Sequence, residues 1–574
     1  MMNILQYLKS QREWFFETSA AEPRGYQQSK APAITLFWLV TLFYLVYQLL
    51  MQPGFVLDGE MWAEMATNYF LNASAPSLLQ NLLSTDAGYI PVPQRIIGLI
   101  GNQLNIPAAS VPYFYTWSAL IFTGMMVGAF CLPAFRKVVR SDALRFLVAI
   151  TILMVADFET RTYINFTYFS AFFIAIVTAL ALVDDSEQVP WWSWFIPVLI
   201  ISKPAVLSAF PAMLLVALVS KSRFRWITVV AILLCLGQVL QMALSASAGT
   251  MPFRSNDITL FSKILAAIEY FFGFLGGYIL GHSSHLSHHP LMLVGLVFLV
   301  LSGLAMAFWR GNARALILVG LSLLLFNAFL NTFALSDMWN RDMSKLDGLP
   351  VYRHIIVGFF GCVLVVTGLF AEMTERLSDN GRRRFLKHGA AVLFVLWFVV
   401  TGWLSSAGRM SREPGSPALN NSQWQQMAEN IDSPASPLCV PIDPIGWMYQ
   451  RNCNFLKPAP TWANGSKVIA NPLILEETVP PALSGKKLVS AAVMARPFPM
   501  QKTHVEVNMH ITLVDGSSRY YSGSRDLKPS GGLIMLKGRD IVAMKDIASV
   551  RLEFNTPVDV ALSPEQTAVV WMGF

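Results

Sequence analysis

Apolar residues fall along this chain in eleven runs, at about residues 34–53, 113–135, 143–157, 164–183, 190–202, 205–219, 226–246, 291–309, 315–336, 354–371 and 389–407. A helix of about 20 such residues crosses the ~30 Å hydrocarbon layer of a bilayer, so the pattern predicts a polytopic helical bundle. Two of the runs are short. WWSWFIPVLIIS and AVLSAFPAMLLVALVS flank Ser202, Lys203 and Pro204, which reads as a hairpin of half-length helices with a polar, buried tip. Past residue 410 the period changes: HVEVNMHITLV, SSRYYSGS, ASVRLEFN and AVVWMGF alternate apolar and polar positions between Pro-, Ser-, Asn- and Gly-rich breaks. Alternation at period two predicts strands, and about 160 residues of them suffice for one sandwich or jelly-roll core. The expected organisation is an interfacial or cytoplasmic segment 1–32, a multi-span helical domain 33–409 and an all-β domain 410–574.

Composition agrees with that reading. Of 574 residues 54% are hydrophobic and 13% charged, and the mean hydropathy is +0.48, which marks an integral membrane protein. The net charge of +7 does not point to nucleic acid, because the basic residues come as short clusters between apolar runs. With the N-terminus inside, RKVVR (136–140), KSRFR (221–225), RGNAR (310–314) and RRRFLK (382–387) all fall on the cytoplasmic side, as Lys and Arg in short loops prefer. Only the acidic DDSEQ at 184–188 runs against the trend. An odd number of crossings then exports the β domain, and with it the segments 54–112 and 247–290, ADFETRTYINFTY, and SDMWNRDMSKLDGLPVYRH. The stretch MMNILQYLKSQREWFF lacks the profile of a cleavable signal. It fits an interfacial helix with Leu5, Leu8, Trp14 and Phe15 on one face, or a plain cytoplasmic tail.

Most residues capable of chemistry lie in the exported segments. LDGEMWAEM places Asp58 and Glu60 one turn outside the membrane, where a carboxylate is suited either to cap a helix beginning near Glu60 or to deprotonate a hydroxyl at the surface. STDAGYIPVPQRI ends on Arg95 at the edge of an apolar stretch; it binds a phosphate or snorkels. ADFETRTYINFTYF holds Glu159 and Arg161 on a very short connection, for substrate or for an internal pair of Arg161 with Glu159 or Asp157. Lys203, alone among Ile, Ser, Pro and Ala, requires an anion or water unless it snorkels to the surface. Tyr352, Arg353 and His354 open the tenth run, where the guanidinium is placed to grip phosphate oxygens or to anchor the helix at the interface.

The cysteines and histidines add less. Cys131, Cys235 and Cys362 sit inside apolar runs, whereas Cys439 and Cys453 lie fourteen apart in the β region and can pair as a disulfide in an oxidising compartment. His282, His285, His288 and His289 have spacings open to a metal, but no acid or cysteine accompanies them and a polar loop is the default, so no metal and no cofactor is expected. No Walker loop, dinucleotide fingerprint or serine elbow occurs at a believable position.

Taken together, LDGEMWAEM in the first external loop, many spans, PVYRHII before a late span and an external C-terminal domain resemble the GT-C superfamily of membrane glycosyltransferases. More narrowly, DAGYIPVPQRIIGLI followed by ADFETRTYINFTYF is similar to the bacterial and phage O-antigen glucosyltransferases, the serotype-converting enzymes encoded beside a flippase and a polyprenyl-phosphate glucose synthase. The paired acids of the superfamily are split here by Gly59, which leaves open whether Asp58 or Glu60 is the base. The resemblance implies a polyprenyl-phosphate-linked sugar donor, a lipid-linked glycan acceptor, no nucleotide, and transfer at the periplasmic face of the bacterial inner membrane. Binding of the donor phosphate by Arg353, Lys203 or Arg95 would then assist its departure. Two other classes fit part of the pattern. A transporter or flippase shares the many spans and the broken hairpin, though its internal repeats and midplane polar groups are missing. A non-catalytic assembly or carbohydrate-binding protein would make the β domain the working part; Trp424, Trp462 and Trp571 are suited to stacking on sugars or to the core.

Overall fold

The structure is a computed structural model and describes residues 31–74, 77–156, 158–184, 190–220, 223–247, 260–280, 288–309, 311–334, 353, 355–376, 381–400, 424–433, 438–443, 447–451, 467–469, 474–527, 529, 531–562 and 569–573. The segment 1–30, Asp157, His282, His285, Tyr352, His354, Cys453 and Trp462 lie outside that set, as do the side chains of His288 and Cys439. Expectations resting on them, including the disulfide, stand as sequence expectations. Contacts divide the chain into two units.

The first unit, residues 1–53, 76–97 and 116–416, is helical. Across the described residues eight helices are long and apolar enough to cross a membrane: Ala31–Met51, Val111–Lys137, Phe166–Val183, Phe224–Ser245, Leu260–Leu280, His289–Phe308, Arg314–Thr332 and Ile356–Glu375. The chain is a multi-pass membrane protein. The half-length hairpin appears as Trp191–Ile200 and Pro204–Val219, and the last apolar run as the short helix His388–Val400. The run at 143–157 forms the 13-residue helix Asp142–Met154.

Eleven spans were expected; among the described residues eight helices reach that length, with shorter apolar ones between them, and one of the eight falls outside the eleven. Leu260–Leu280 falls inside the segment 247–290 that was expected to be an external loop. Its mean hydropathy of 1.4 is the lowest of the set, because Lys263, Glu269 and three glycines interrupt the apolar run. One of those glycines, Gly276, with Gly295 of the next helix, explains its packing. A Cβ on Gly276 would stand 1.9 Å from the carbonyl oxygen of Leu291, and one on Gly295 would stand 2.1 Å from that of Phe272. The backbones of Leu260–Leu280 and His288–Phe308 therefore lie antiparallel in direct contact, an approach that only glycine permits.

This added helix removes the simple alternation that placed every basic loop on one side. Packing nevertheless groups two of those loops. Lys137 pairs with Asp184 at 2.8 Å, Asn312 donates to the carbonyl of Lys137 at 2.9 Å, Arg140 meets Glu375 at 3.8 Å, and the buried carboxylate of Glu372 accepts the N–H of Arg314 at 3.2 Å. One end of the bundle thus collects the RKVVR loop, the turn before Arg314 and the end of Ile356–Arg376. Asp184, which breaks the positive trend in sequence, is the counter-charge of that end.

The second unit comprises residues 54–75, 98–115 and 417–574. It joins two parts of the segment between the first two apolar runs to the β region. A short helix, Trp424–Asp432, precedes an antiparallel ribbon of β1 (Leu438–Ile442) and β2 (Trp447–Arg451). The remaining strands are β3 (Lys467–Ile469), β4 (Ile474–Glu477), β5 (Lys487–Phe498), β6 (Thr503–Leu513), β7 (Ser518–Leu527), β8 (Gly532–Ala543), β9 (Ile547–Asn555), β10 (Asp559–Leu562) and β11 (Val569–Gly573). They form one antiparallel sheet in the order β3-β10-β5-β8-β7-β6-β9-β4, with β11 also on β5. A sandwich would break this ladder into two sheets. Here β7 and β8 stay bonded through Tyr521↔Gly538 and Ser522↔Lys537, so the hydrogen-bonded path is continuous. The period-two pattern fixes which face is inside: Val505, Val507, Met509 and Ile511 of β6 are buried against Leu488, Val493, Leu536, Leu552 and Val560.

Candidate functional site

Polar residues expected to bind substrate gather at the opposite end of the helical unit from the Lys137–Asp184 pair, and most are already engaged. The tip of the half-length hairpin is held by side chains of two other segments. Gln238, in the middle of helix Phe224–Ser247, accepts from the N–H of Ile90 at 3.2 Å and donates to the carbonyls of Ile90 at 3.3 Å and Ser202 at 3.1 Å. Val92 donates to the carbonyl of Ile201 at 3.0 Å. The amide of Gln238 thus supplies the hydrogen bonds that unwound backbone in a membrane must find.

Lys203 at that tip is buried. Its ammonium donates to the hydroxyl of Tyr89 and lies 4.9 Å from the centre of that ring, and the same hydroxyl donates to Asp86 at 3.4 Å. The anion that Lys203 demanded in sequence is therefore provided within the chain, through a phenol. Lysine, tyrosine and aspartate form a buried relay in which the two charges are bridged, an arrangement stable only while all three are present.

Arg95 is buried and donates to the carbonyl of Ser84 at 3.4 Å. Its neighbour Gln94 donates to the carbonyl of Ile164 at 2.9 Å and to Thr167 at 3.0 Å, which fixes the segment 84–95 against the connection 158–169. On that connection Glu159 does not pair with Arg161, and the alternative pair of Arg161 with Asp157 lies outside the described residues. Arg161, 2% exposed, donates to the carbonyl of Met154 at 3.0 Å and stacks 5.1 Å from the ring of Tyr47. Glu159 instead meets Arg353 at 2.5 Å. The reason is geometric: Phe158–Arg161 is a single helical turn that sends residues 159 and 161 to different sides. Glu159 and Arg353, far apart in sequence, are brought together, and their side chains remain 39% and 31% exposed. Theirs is the most open cation–anion pair among the expected site residues, and a soluble or interfacial anion can compete for it.

The second unit carries the acids of LDGEM. Gly59 has φ +68°, and an added Cβ would lie 2.4 Å from the ring of Tyr113. The turn is held at each position around it. Tyr113 donates to the carbonyl of Leu57 at 3.0 Å, Gln425 donates to the carbonyls of Gly59 and, at 2.8 Å, Ala109, and the carboxylate of Glu60 accepts the N–H of Trp424 at 2.9 Å. Trp424 is fully buried. Its indole N–H donates to the carbonyl of Ala108 at 2.7 Å, and its ring meets Phe70 and Tyr449 edge-on at 5.1 and 5.4 Å. Asp432, at the other end of the same helix, accepts the N–H of Ala108 at 3.0 Å.

Within this frame Asp58 is exposed. Its backbone N–H is bonded to Gly54 at 2.9 Å, and among the described residues no hydrogen bond or ion pair to its carboxylate is seen. Trp424 and Trp571 serve the core rather than an open face, the latter packing against the buried strands. Sequence reading missed Gln94, Gln238, Gln425 and Tyr113. A lone Gln in an apolar helix was the available signal for Gln238; nothing local marks the others. Among the described residues no group of three or more His, Cys, Asp or Glu is arranged to hold a metal. No family model, curated protein or solved structure matches the chain.

Proposed function

We propose that this protein is a GT-C-type membrane glycosyltransferase. It moves a sugar, glucose in the first instance, from a polyprenyl-phosphate carrier to a lipid-linked glycan such as O-antigen, at the periplasmic face of the bacterial inner membrane. The observation that carries this reading is the LDGEM turn: a loop with a positive φ, tied down on both sides, that holds two carboxylates on a fixed backbone in the segment following the first span in sequence. A positioned carboxylate is what deprotonation of an acceptor hydroxyl needs, and general-base assistance is worth about 10²–10⁴ in rate.

The exchangeable Arg353–Glu159 pair supports the donor half of the reading. A phosphate that displaces Glu159 gains a charge-assisted fork and becomes a better leaving group as its developing charge is neutralised. Lys203 and Arg95 act behind it, by holding the hairpin tip and the segment 84–95 in place. One displacement at the anomeric carbon inverts its configuration, in which the acceptor oxygen bonds to carbon, its proton passes to the carboxylate and the lipid phosphate departs. In this reading the N-terminus and the Lys137–Asp184 end face the cytoplasm and the β region faces the periplasm. A flippase or a donor-synthesising transferase are the natural partners.

The test is reconstitution of the purified protein in vesicles with polyprenyl-phosphate glucose and lipopolysaccharide. Transfer of glucose to the polysaccharide is the expected result. Movement of the lipid-linked sugar between leaflets without transfer would replace the enzyme by a flippase.

A further inference from the structure

We infer that the two acids of the LDGEM turn have separate tasks, with Asp58 the catalytic base and Glu60 a positioning residue that fastens the turn to the helix Trp424–Asp432. This division rests on the proposed transferase activity for the role of Asp58; the role of Glu60 stands independently of it. The carboxylate of Glu60 accepts the first described N–H of that helix, which ties position 60 to position 424. The oxygen so engaged is committed to the helix, which leaves the exposed carboxylate of Asp58 as the one open to an acceptor.

The neighbouring contacts point the same way. Gln425, one residue into the helix, grips the carbonyl of Gly59, while Tyr113 grips that of Leu57. Three successive holds, at Leu57, Gly59 and Glu60, leave the exposed side chain of Asp58 projecting from a backbone that cannot drift. Sub-ångström placement of a base is the purpose such a frame serves. The spacing Asp-Gly-Glu then has a reason. Gly59 supplies the turn that separates an acid committed to the frame from one committed to the reaction, where two adjacent acids would share both tasks.

The experiment compares Glu60→Gln, Glu60→Ala and Asp58→Asn in the full-length protein by two readouts. Hydrogen exchange of the peptide containing Trp424 reads the frame. Glucose transfer from polyprenyl-phosphate glucose reads the reaction, with kcat followed against pH. Glutamine keeps an acceptor oxygen, so Glu60→Gln is expected to retain wild-type exchange, kcat within about threefold and an unchanged acid limb of the pH profile. Glu60→Ala should speed exchange near Trp424 by roughly fivefold and lower kcat, while Asp58→Asn should lower kcat by about 10²-fold or more with exchange unaltered. A Glu60→Gln enzyme as inactive as Asp58→Asn, or Glu60→Ala exchange equal to wild type, overturns the division. If no variant and no wild-type protein transfers sugar, the transferase reading fails, and the exchange data still decide whether Glu60 fastens the helix.

Discussion

Substituting Gly59 by alanine puts the frame of the LDGEM turn under a quantitative test. At φ +68° a residue with a Cβ pays about 1–2 kcal/mol for the left-handed conformation. The new methyl would also lie 2.4 Å from the ring of Tyr113, so the ring must swing away and release its 3.0 Å bond to the carbonyl of Leu57, a further loss of about 0.5–1.5 kcal/mol. The combined effect, on the order of 2–3 kcal/mol, corresponds to roughly a 30- to 150-fold rise in local opening. Hydrogen exchange followed by mass spectrometry on the full-length protein reads it directly, in peptides covering residues 57–63 and 424–432. Tyr113→Phe, which removes the bond to Leu57 and leaves the backbone of the turn unstrained, should show only the smaller part of that loss, about 2- to 12-fold. Exchange in Gly59→Ala within twofold of wild type would refute both the geometry of the turn and its dependence on glycine.

Other consequences follow from single contacts. Lys203→Met should destabilise the protein by about 1–3 kcal/mol, because it removes the buried donor to Tyr89; in detergent unfolding, Lys203→Met/Asp86→Asn should fall short of the sum of the single changes by at least about 1 kcal/mol, and strict additivity would dissolve the relay. Arg353→Ala should raise the KM for polyprenyl-phosphate glucose by about tenfold or more while Glu159→Gln lowers it or leaves it level; an unchanged KM in Arg353→Ala removes that residue from donor binding. Asp142, ahead of the apolar run at 143–157, has its carboxyl held below the usual carboxylate range, first by the hydrogen bond from Arg136 and then by the charge of Arg145. Because its folded value is depressed, the stabilisation is complete above the ordinary value near pH ~4 and is lost as pH falls through the lower folded one. Thermal unfolding should accordingly be level at neutral pH and lose on the order of 1 kcal/mol only on strong acidification. Asp142→Asn should abolish that acid-dependent part, and an equal acid loss in the variant would assign it elsewhere.

The helical architecture was legible because lipid imposes one rule everywhere: a crossing helix needs about 20 apolar residues. It failed where packing overrode composition. Leu260–Leu280 carries charges and glycines that lower its hydropathy, and Gly276 makes sense only beside the facing backbone of His288–Phe308. Alternation in β6 similarly marked the buried face, whereas the continuity of the sheet through two β7–β8 pairs is a long-range fact with no local signal. For the site, residue type was the visible part and pairing the hidden part. Lys203 announced a need for an anion, but not that Asp86 meets it through Tyr89. Glu159 announced a pair, but with Arg353 and not with its helical neighbour Arg161. Asp58 announced a cap for a local helix, whereas Glu60 is the acid that accepts a helix N–H, that of Trp424, 364 residues later in the chain.

The account depends most on a carboxylate at position 58 that takes a proton from the acceptor. The most direct measurement is single-turnover glucose transfer from polyprenyl-phosphate glucose to lipopolysaccharide by wild-type protein and Asp58→Asn, with donor binding measured on the same preparations. The account predicts that the variant binds donor as the wild type does and transfers about 10²–10⁴-fold more slowly. Transfer at the wild-type rate in Asp58→Asn would contradict it.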